Sequence, residues 1–309
     1  MNSINNILII LAHNRFTGVN TWAYTLTKEL SSRGYTVDIE IDDGYLEEFT
    51  FVDGYNDFVK KLKKVCNDVF VRDFVDYSKY HFSIISYNVH IDKPSSGKKI
   101  FVVHGTELPW FDISDHTVDY RVGTSKTNYE YMKCEGLIHN GIDMEEFSSE
   151  KWDPPNVKPK RALLLSRYGF SHNMYYACNV LGIELEHSVF DTNIEEKIGL
   201  YDFVISHGRG AYEAMASGRP VLIFNSMFKD PEGKTLCDGW VKESNFRKIL
   251  DRNSSGWSFR YDVSTIEKFK KMISKYDYTD GKKNSELVKN LLSSKTMCDK
   301  FEKVFNGLK

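Results

Sequence analysis

The sequence predicts an α/β protein made of two Rossmann-like, doubly wound parallel-sheet domains facing each other across a cleft. Three observations lead there. The chain has 309 residues, about twice the roughly 150 residues expected of one domain. Short apolar runs alternate with segments of helical spacing, the order that puts helices on both faces of a parallel sheet. That alternation breaks once, at the proline-bearing stretch Trp152–Lys160, and then restarts. Residues 1–150 are therefore the expected first domain and 151–309 the second. The C-terminal helical tail is a candidate to pack back on the first domain.

Ile7–Leu11 is a continuous apolar run, as in a strand buried on both faces. Val19, Trp22, Ala23, Leu26 and Leu30 then recur at helical spacing, and Gly34 ends that helix. Val37, Ile39 and Ile41 alternate, giving a second strand. Phe58–Phe74 is expected to be helical, with Lys60, Lys61, Lys63 and Lys64 on its exposed side. Strands follow at Phe82–Tyr87, Lys99–Val103 and Tyr120–Gly123, then a helix through Tyr129 and Met132. Past the proline stretch, strands are expected at Ala162–Leu165, Leu185–Phe190, Asp202–Ile205 and Pro220–Phe224. Helices are expected at Met174–Leu181, Ile194–Ile198 and Ala211–Ala216, with a charged helical tail from Ser264.

Composition narrows the function. Apolar residues make up 41% and charged residues 27%, enough for a core in each domain. The net charge of −2 conceals an uneven split: residues 1–150 carry 15 basic and 23 acidic side chains, residues 151–309 carry 26 and 20. A basic half beside an acidic one suits a phosphorylated ligand held by the second domain. No apolar run reaches the about 18 residues of a membrane span, and Ile7–Ala12 is too short for a signal-peptide core. A cytosolic protein without stable membrane insertion is expected. The five cysteines are scattered, with no CxxC pair and no Cys/His cluster, so neither a disulfide framework nor a metal site is indicated.

Four segments stand where ligands bind in such sheets, beyond the carboxyl ends of strands. The first, His13–Gly18, joins the first strand to its helix; Gly18 allows close backbone approach to an anion at the helix start. GxGxxG is absent, which argues against a nicotinamide or flavin cofactor. The second, Val103–Glu107, puts His104 at a cleft edge, where it reaches a sugar hydroxyl or phosphate or merely satisfies loop carbonyls. The third is Ser166–Gly169, whose Arg167 clamps a diphosphate or is an ordinary surface arginine. The fourth, Ser206–Val221, is the most informative. A buried strand feeds a turn with His207, Gly208, Arg209 and Gly210, and a helix opens. The glycine amides are expected to face a phosphate, and Glu213 in the first helical turn either complements the helix dipole or accepts from both ribose hydroxyls.

Together these segments resemble the GT-B glycosyltransferases of family 4, the glycogen-synthase and mannosyltransferase-like group. Gly210–Val221 looks like that family's nucleotide-binding "EAMAxGxPV" element. His139–Asp143, with Phe147 beyond, looks like its "PNGVDxxxF" interdomain segment, and Leu30–Val37 like its "LxxRGHxV" helix and strand. His104 matches its histidine near the transferred sugar, and Ser166-Arg167 its "GR" phosphate contact. Asp238–Val241 and Asn253–Gly256 look like segments of one bacterial branch. Two departures are visible. Eight residues before Glu213, where the family often has a second glutamate, stands Ile205; and Ser171-His172-Asn173 replace the lysine expected after the arginine, leaving Arg167, Arg209 or Arg219 to carry the diphosphate charge.

The resemblance implies retaining, metal-independent transfer of a sugar from a nucleotide-diphosphate donor, a UDP-sugar favoured, with no other cofactor. The acceptor stays open among a glycan, a lipid-linked sugar, a protein and a hydroxymethylated base in DNA. The DNA idea draws on Lys60–Lys64, and the acidic first half speaks against it. Two other readings compete: a sugar-nucleotide 2-epimerase, for which only Glu107 and Asp112 offer carboxylates, and a non-catalytic nucleotide-sugar-binding protein.

Overall fold

The computed structural model describes residues 6–11, 18–41, 55–71, 73–86, 96–105, 118–166, 170–189 and 191–309. The chain divides into two compact units, Met1–Gly141 together with Ser294–Lys309, and Ile142–Ser293.

The first unit holds a seven-stranded parallel sheet. Its elements are β1 (Asn6–Leu11), α1 (Gly18–Ser32), β2 (Thr36–Ile41), α2 (Tyr55–Leu62), β3 (Asp68–Val71), β4 (Phe82–Ile85), β5 (Lys98–Val103), β6 (Tyr120–Gly123), α3 (Lys126–Tyr131) and β7 (Gly136–Leu137). The order β3-β2-β1-β4-β5-β6-β7 reverses direction at β1. Period-two alternation explains why β1 is apolar throughout: Ile7, Ile9 and Leu11 enter one core while Leu8 and Ile10 enter the core on the opposite face. Trp22, Ala23, Leu26 and Leu30 form the buried stripe of α1, and Gly34 takes φ +88° just beyond its end.

One expectation fails here. The helix predicted over Phe58–Phe74 stops at Leu62, and Asp68–Val71 is a strand paired with β2 in the register Asp38↔Asp68 to Ile41↔Val71. Phe58, Leu62, Val65 and Val69 mimic a helical stripe in the sequence. The β-branched Val69 and Val71 instead satisfy the open edge of β2, a long-range demand that local spacing cannot register.

The last helix, α9 (Ser294–Gly307), belongs to this unit. Met297, Cys298, Phe301 and Phe305 enter the core beside Trp22, Leu26 and Phe82. Around them Arg33 bonds Glu29 at 2.9 Å, Asp299 at 2.7 Å and Glu302 at 2.6 Å, and Ser294 donates to the same Glu29.

The second unit holds a six-stranded sheet in the order β13-β12-β11-β10-β8-β9. Its elements are β8 (Arg161–Leu165), α4 (His172–Val180), β9 (Glu184–Ser188), β10 (Phe203–Ser206), α5 (Arg209–Ala216), β11 (Val221–Lys229), β12 (Thr235–Trp240), α6 (Glu243–Asp251), β13 (Tyr261–Asp262), α7 (Ile266–Ile273) and α8 (Asp280–Leu291). Strands β8 to β11 are parallel, but β12 and β13 add antiparallel pairs, so this sheet is mixed. The cause is the tight turn Asp230–Lys234, where the Lys234 amide donates to Asp230 Oδ1 at 2.8 Å and Gly233 takes φ +78°. A connection that short can only return the chain antiparallel.

The proline-bearing stretch Trp152–Lys160 lies within the second unit, and the division falls at 141/142, ahead of the expected 150/151. Asp202 explains the attachment: its carboxylate accepts from the amides of Asn156, Lys160 and Arg161 and from Asn156 Nδ2. No helix of the described residues is long and apolar enough to cross a membrane.

Candidate functional site

In the second unit the sheet changes winding direction between β8 and β10, which are neighbours although β9 intervenes in sequence. The carboxyl ends at such a switch point form the binding crevice of doubly wound folds. Ser166 follows β8 there, and the His207–Glu213 segment follows β10. Ser206 Oγ donates to the Leu165 carbonyl at 2.6 Å and ties the two strand ends together. Ser166 Oγ lies 3.2 Å from His207 Nδ1, and His187 Nε2 lies 2.8 Å from the Ser166 carbonyl. Burial holds the His207 pKa below the ordinary histidine value, partly opposed by a hydrogen bond with the Phe224 backbone.

The two glycines of the turn serve different needs. Gly208 precedes α5 with φ +59° and ψ −139°, a conformation that disfavours any side chain although open space surrounds it. Its N–H donates to the Ser254 carbonyl at 3.0 Å, so this amide, expected to face a phosphate, is spent inside the protein. Gly210 is a matter of contact: a Cβ would lie 2.8 Å from Ser206 Oγ and 3.1 Å from Leu165 Cδ2. Glycine lets the first turn of α5 sit directly on the strand ends.

Glu213 is the fifth residue of α5, not part of its first turn. Its Oε1 accepts from Arg209 Nε at 2.8 Å, and both side chains are buried, at 8% and 5% exposure. The pair replaces the simple helix-dipole explanation. Burial pushes the Glu213 carboxyl up and the Arg209 guanidinium opposes it; burial pushes Arg209 down and Glu213, with Glu146 and Asp143, opposes that. Arginine keeps its proton in proteins, so the guanidinium beside Glu213 favours the ionised carboxylate against that burial. Asp143, from the His139–Phe147 motif, accepts from the amides of Glu145 and Glu146. Two motifs that lie about 70 residues apart in the sequence thus supply one charged cluster.

Arg219 is elsewhere. It sits ahead of β11, where its guanidinium donates to the carbonyls of Ser217, Tyr201 and Asp153 at the amino ends of the strands, away from the switch point. Arg167 lies outside the described residues, as do His13–Thr17, Glu107 and Asp112. Sequence reasoning passed over His187 and Phe170. Phe170 sits 5.2 Å from the His172 ring and 6.0 Å from the His187 ring, and is 45% exposed at this edge. Alternation along β9 placed His187 at a strand end, which was the available signal.

In the first unit, His104 follows β5 and packs edge-on against Trp22, ring centres 4.7 Å apart. Trp22 is the fifth residue of α1, and Gly18 is the first. The fold therefore brings the start of α1 and His104 into one neighbourhood, at carboxyl ends of the first sheet.

No family model matches the chain, and no curated protein matches it. Solved structures do. A glycosyltransferase from Rickettsia africae ESF-5 aligns over 99% of both chains, with a TM-score of 0.60 at 13% identity. A mutant of S. aureus TarM, in complex with fondaparinux, α-GlcNAc-glycerol and UDP, aligns over 98% of this chain and all of its own, with a TM-score of 0.58 at 9% identity. An α-glucosyltransferase in complex with UDP gives the same coverages, TM-score and identity. The chain is similar to these proteins throughout its length and has a glycosyltransferase fold of the GT-B type.

Proposed function

We propose that this protein is a glycosyltransferase that moves a sugar from a nucleotide-diphosphate donor, a UDP-sugar above all, to a hydroxyl-bearing acceptor. The observation that carries this reading is the switch-point cluster of the second unit. Ser166, His207 and the Gly208–Glu213 turn converge there, in a fold shared end to end with glycosyltransferases, two of them bound to UDP.

Each residue takes a role its chemistry allows. Glu213 accepts hydrogen bonds from the ribose hydroxyls, and Arg209 holds its carboxylate ionised in a buried place. Transfer builds positive charge on the sugar and negative charge on the departing diphosphate. Arg167 and the positive end of the α5 helix dipole stabilise the latter. His104 hydrogen-bonds the transferred sugar. The reaction is of the retaining, family-4 kind and proceeds without a bound metal, so chelator leaves it intact.

The test is a thermal-shift and turnover screen over nucleoside diphosphates and their sugars. A matching diphosphate at 100 times its Kd stabilises the protein by about 2.7 kcal/mol, and the corresponding sugar donor releases that diphosphate in the presence of acceptor. Absence of both effects across UDP, GDP, ADP and TDP and their sugars overturns the reading. Binding of the sugar nucleotide without turnover under any acceptor assigns a binding protein instead.

A further inference from the structure

A cavity of about 460 Å³ opens in the second unit at the amino ends of its strands. Asp202 precedes β10 and Arg219 lies two residues before β11, whereas Ser166 and His207 follow strands at the opposite end of the same sheet. With a four-residue β10 between them, the two places are about 10–15 Å apart. The cavity is within the 300–1,000 Å³ range of small-molecule sites.

Its chemistry is specific. Trp152 packs closely against Gly199, where any side chain would overlap the indole, so the ring is held at the cavity wall. The Trp152 Nε1–H is buried and meets no acceptor among the described residues, an unusual state for an indole N–H. Arg219 is only 3% exposed and gives three of its five N–H groups to carbonyls; among the described residues no carboxylate pairs with it directly, although the charges of Asp202 and Asp153 act on it. Exposed carboxylates of Glu150 and Asp153 stand at the rim, beside exposed Lys151. Asp202, at the floor, has its carboxylate saturated by four N–H donors.

An anion would find the cation of Arg219 but would pass two rim carboxylates. A cation would meet those carboxylates but then Arg219. An apolar molecule would leave polar groups without partners. A neutral polyol satisfies both sets, because each hydroxyl both donates and accepts. The C–H face of a pyranose is apolar and matches a fixed indole. We propose that this cavity binds a neutral saccharide, its ring against Trp152 and its hydroxyls bonded to Arg219, Asp153 and Glu150. This site owes nothing to the donor-site assignment.

The experiment uses the full-length protein and saturation-transfer NMR with glucose, N-acetylglucosamine and maltose, with citrate and inorganic phosphate as the anionic arm. Saccharides are expected to bind with Kd of about 1–10 mM, a modest affinity of about 3–4 kcal/mol. Trp152→Ala should weaken binding at least about tenfold. Asp153→Ala, at the exposed rim, should weaken it about three- to tenfold with an unaltered unfolding curve, so the proposal does not depend on how the tryptophan variant folds. Tighter binding of maltose than of glucose assigns the end of a glycan chain as the occupant, and equal binding a single sugar unit. The proposal is overturned if no saccharide binds below about 50 mM, a bound of about 2 kcal/mol. It is equally overturned if both cavity variants bind as wild type, or if citrate or phosphate occupies the cavity and saccharides do not.

Discussion

Arg209 donates through Nε to Glu213 Oε1 at 2.8 Å, one turn along the same buried helix. The pair gives Glu213 a structural role beside the ribose-binding role proposed for it, and the two contributions separate by substitution. Removing one partner of a buried ion pair costs about 3–5 kcal/mol, because the other charge stays buried and uncompensated. Glu213→Ala should therefore destabilise the protein by roughly that amount, and Arg209→Met/Glu213→Gln by much less. Urea unfolding of the two variants measures this; equal losses would mean that the pair is not coupled.

On the proposed function the same residue binds the donor. Hydrogen bonds to a charged acceptor contribute about 1.5–3 kcal/mol, or about 10- to 150-fold in affinity. Glu213→Gln, which keeps an acceptor and loses the charge, should bind ribonucleotide donor with intermediate affinity. It should also lose discrimination against the 2′-deoxy donor. Calorimetric affinities for both forms check it. Wild-type discrimination in this variant would remove Glu213 from the ribose.

His104 is held by Trp22 at the end of β5. On the role proposed for it beside the transferred sugar, His104→Ala should lower kcat by about tenfold or more while changing donor Kd little, because such a contact matters most in the transition state. Steady-state kinetics with equilibrium binding decide the matter, and an unchanged kcat would reduce His104 to a packing residue.

Gly208 combines φ +59° with open space around its missing side chain. Gly208→Ala should cost about 1–3 kcal/mol from backbone strain alone, visible as a lower urea midpoint with an unchanged m-value. No loss of stability would contradict the turn that leads into α5.

Asp202 sets part of the acid limb of stability. Burial pushes its carboxyl up, but the amides of Lys160, Asn156 and Arg161 and the Asn156 side chain outweigh this and hold it below the ordinary value of 3.8. With a depressed folded pKa, the unfolded chain binds the proton more readily. Its contribution is therefore full above about pH 5 and is lost as pH falls through 3.8 toward the folded pKa. In Asp202→Asn the fall in stability between pH 5 and 3 should be shallower than in the wild type. Parallel curves would mean that the carboxylate is not held this way.

Much of this was legible in the sequence because it is local and periodic. Ile7–Leu11 alternates between two cores and so must be apolar at every position. The stripe of α1 and the turn from Ser206 through Gly210 into a helix are likewise short-range patterns, and they were enough to indicate parallel sheets and a glycine-bearing turn that opens a helix. What the tertiary structure decided are the matters that depend on distant partners. Whether Asp68–Val71 is helix or strand depends on the open edge of β2. The affiliation of Trp152–Lys160 depends on Asp202, about 40 residues away, and that of α9 on Arg33 and the core around Trp22. The direction in which an arginine points is decided the same way. Arg209 turns to Glu213 and Arg219 to three carbonyls at the far end of the sheet, because a buried guanidinium goes where its charge and N–H groups are satisfied. Those partners exist only once the strands have paired.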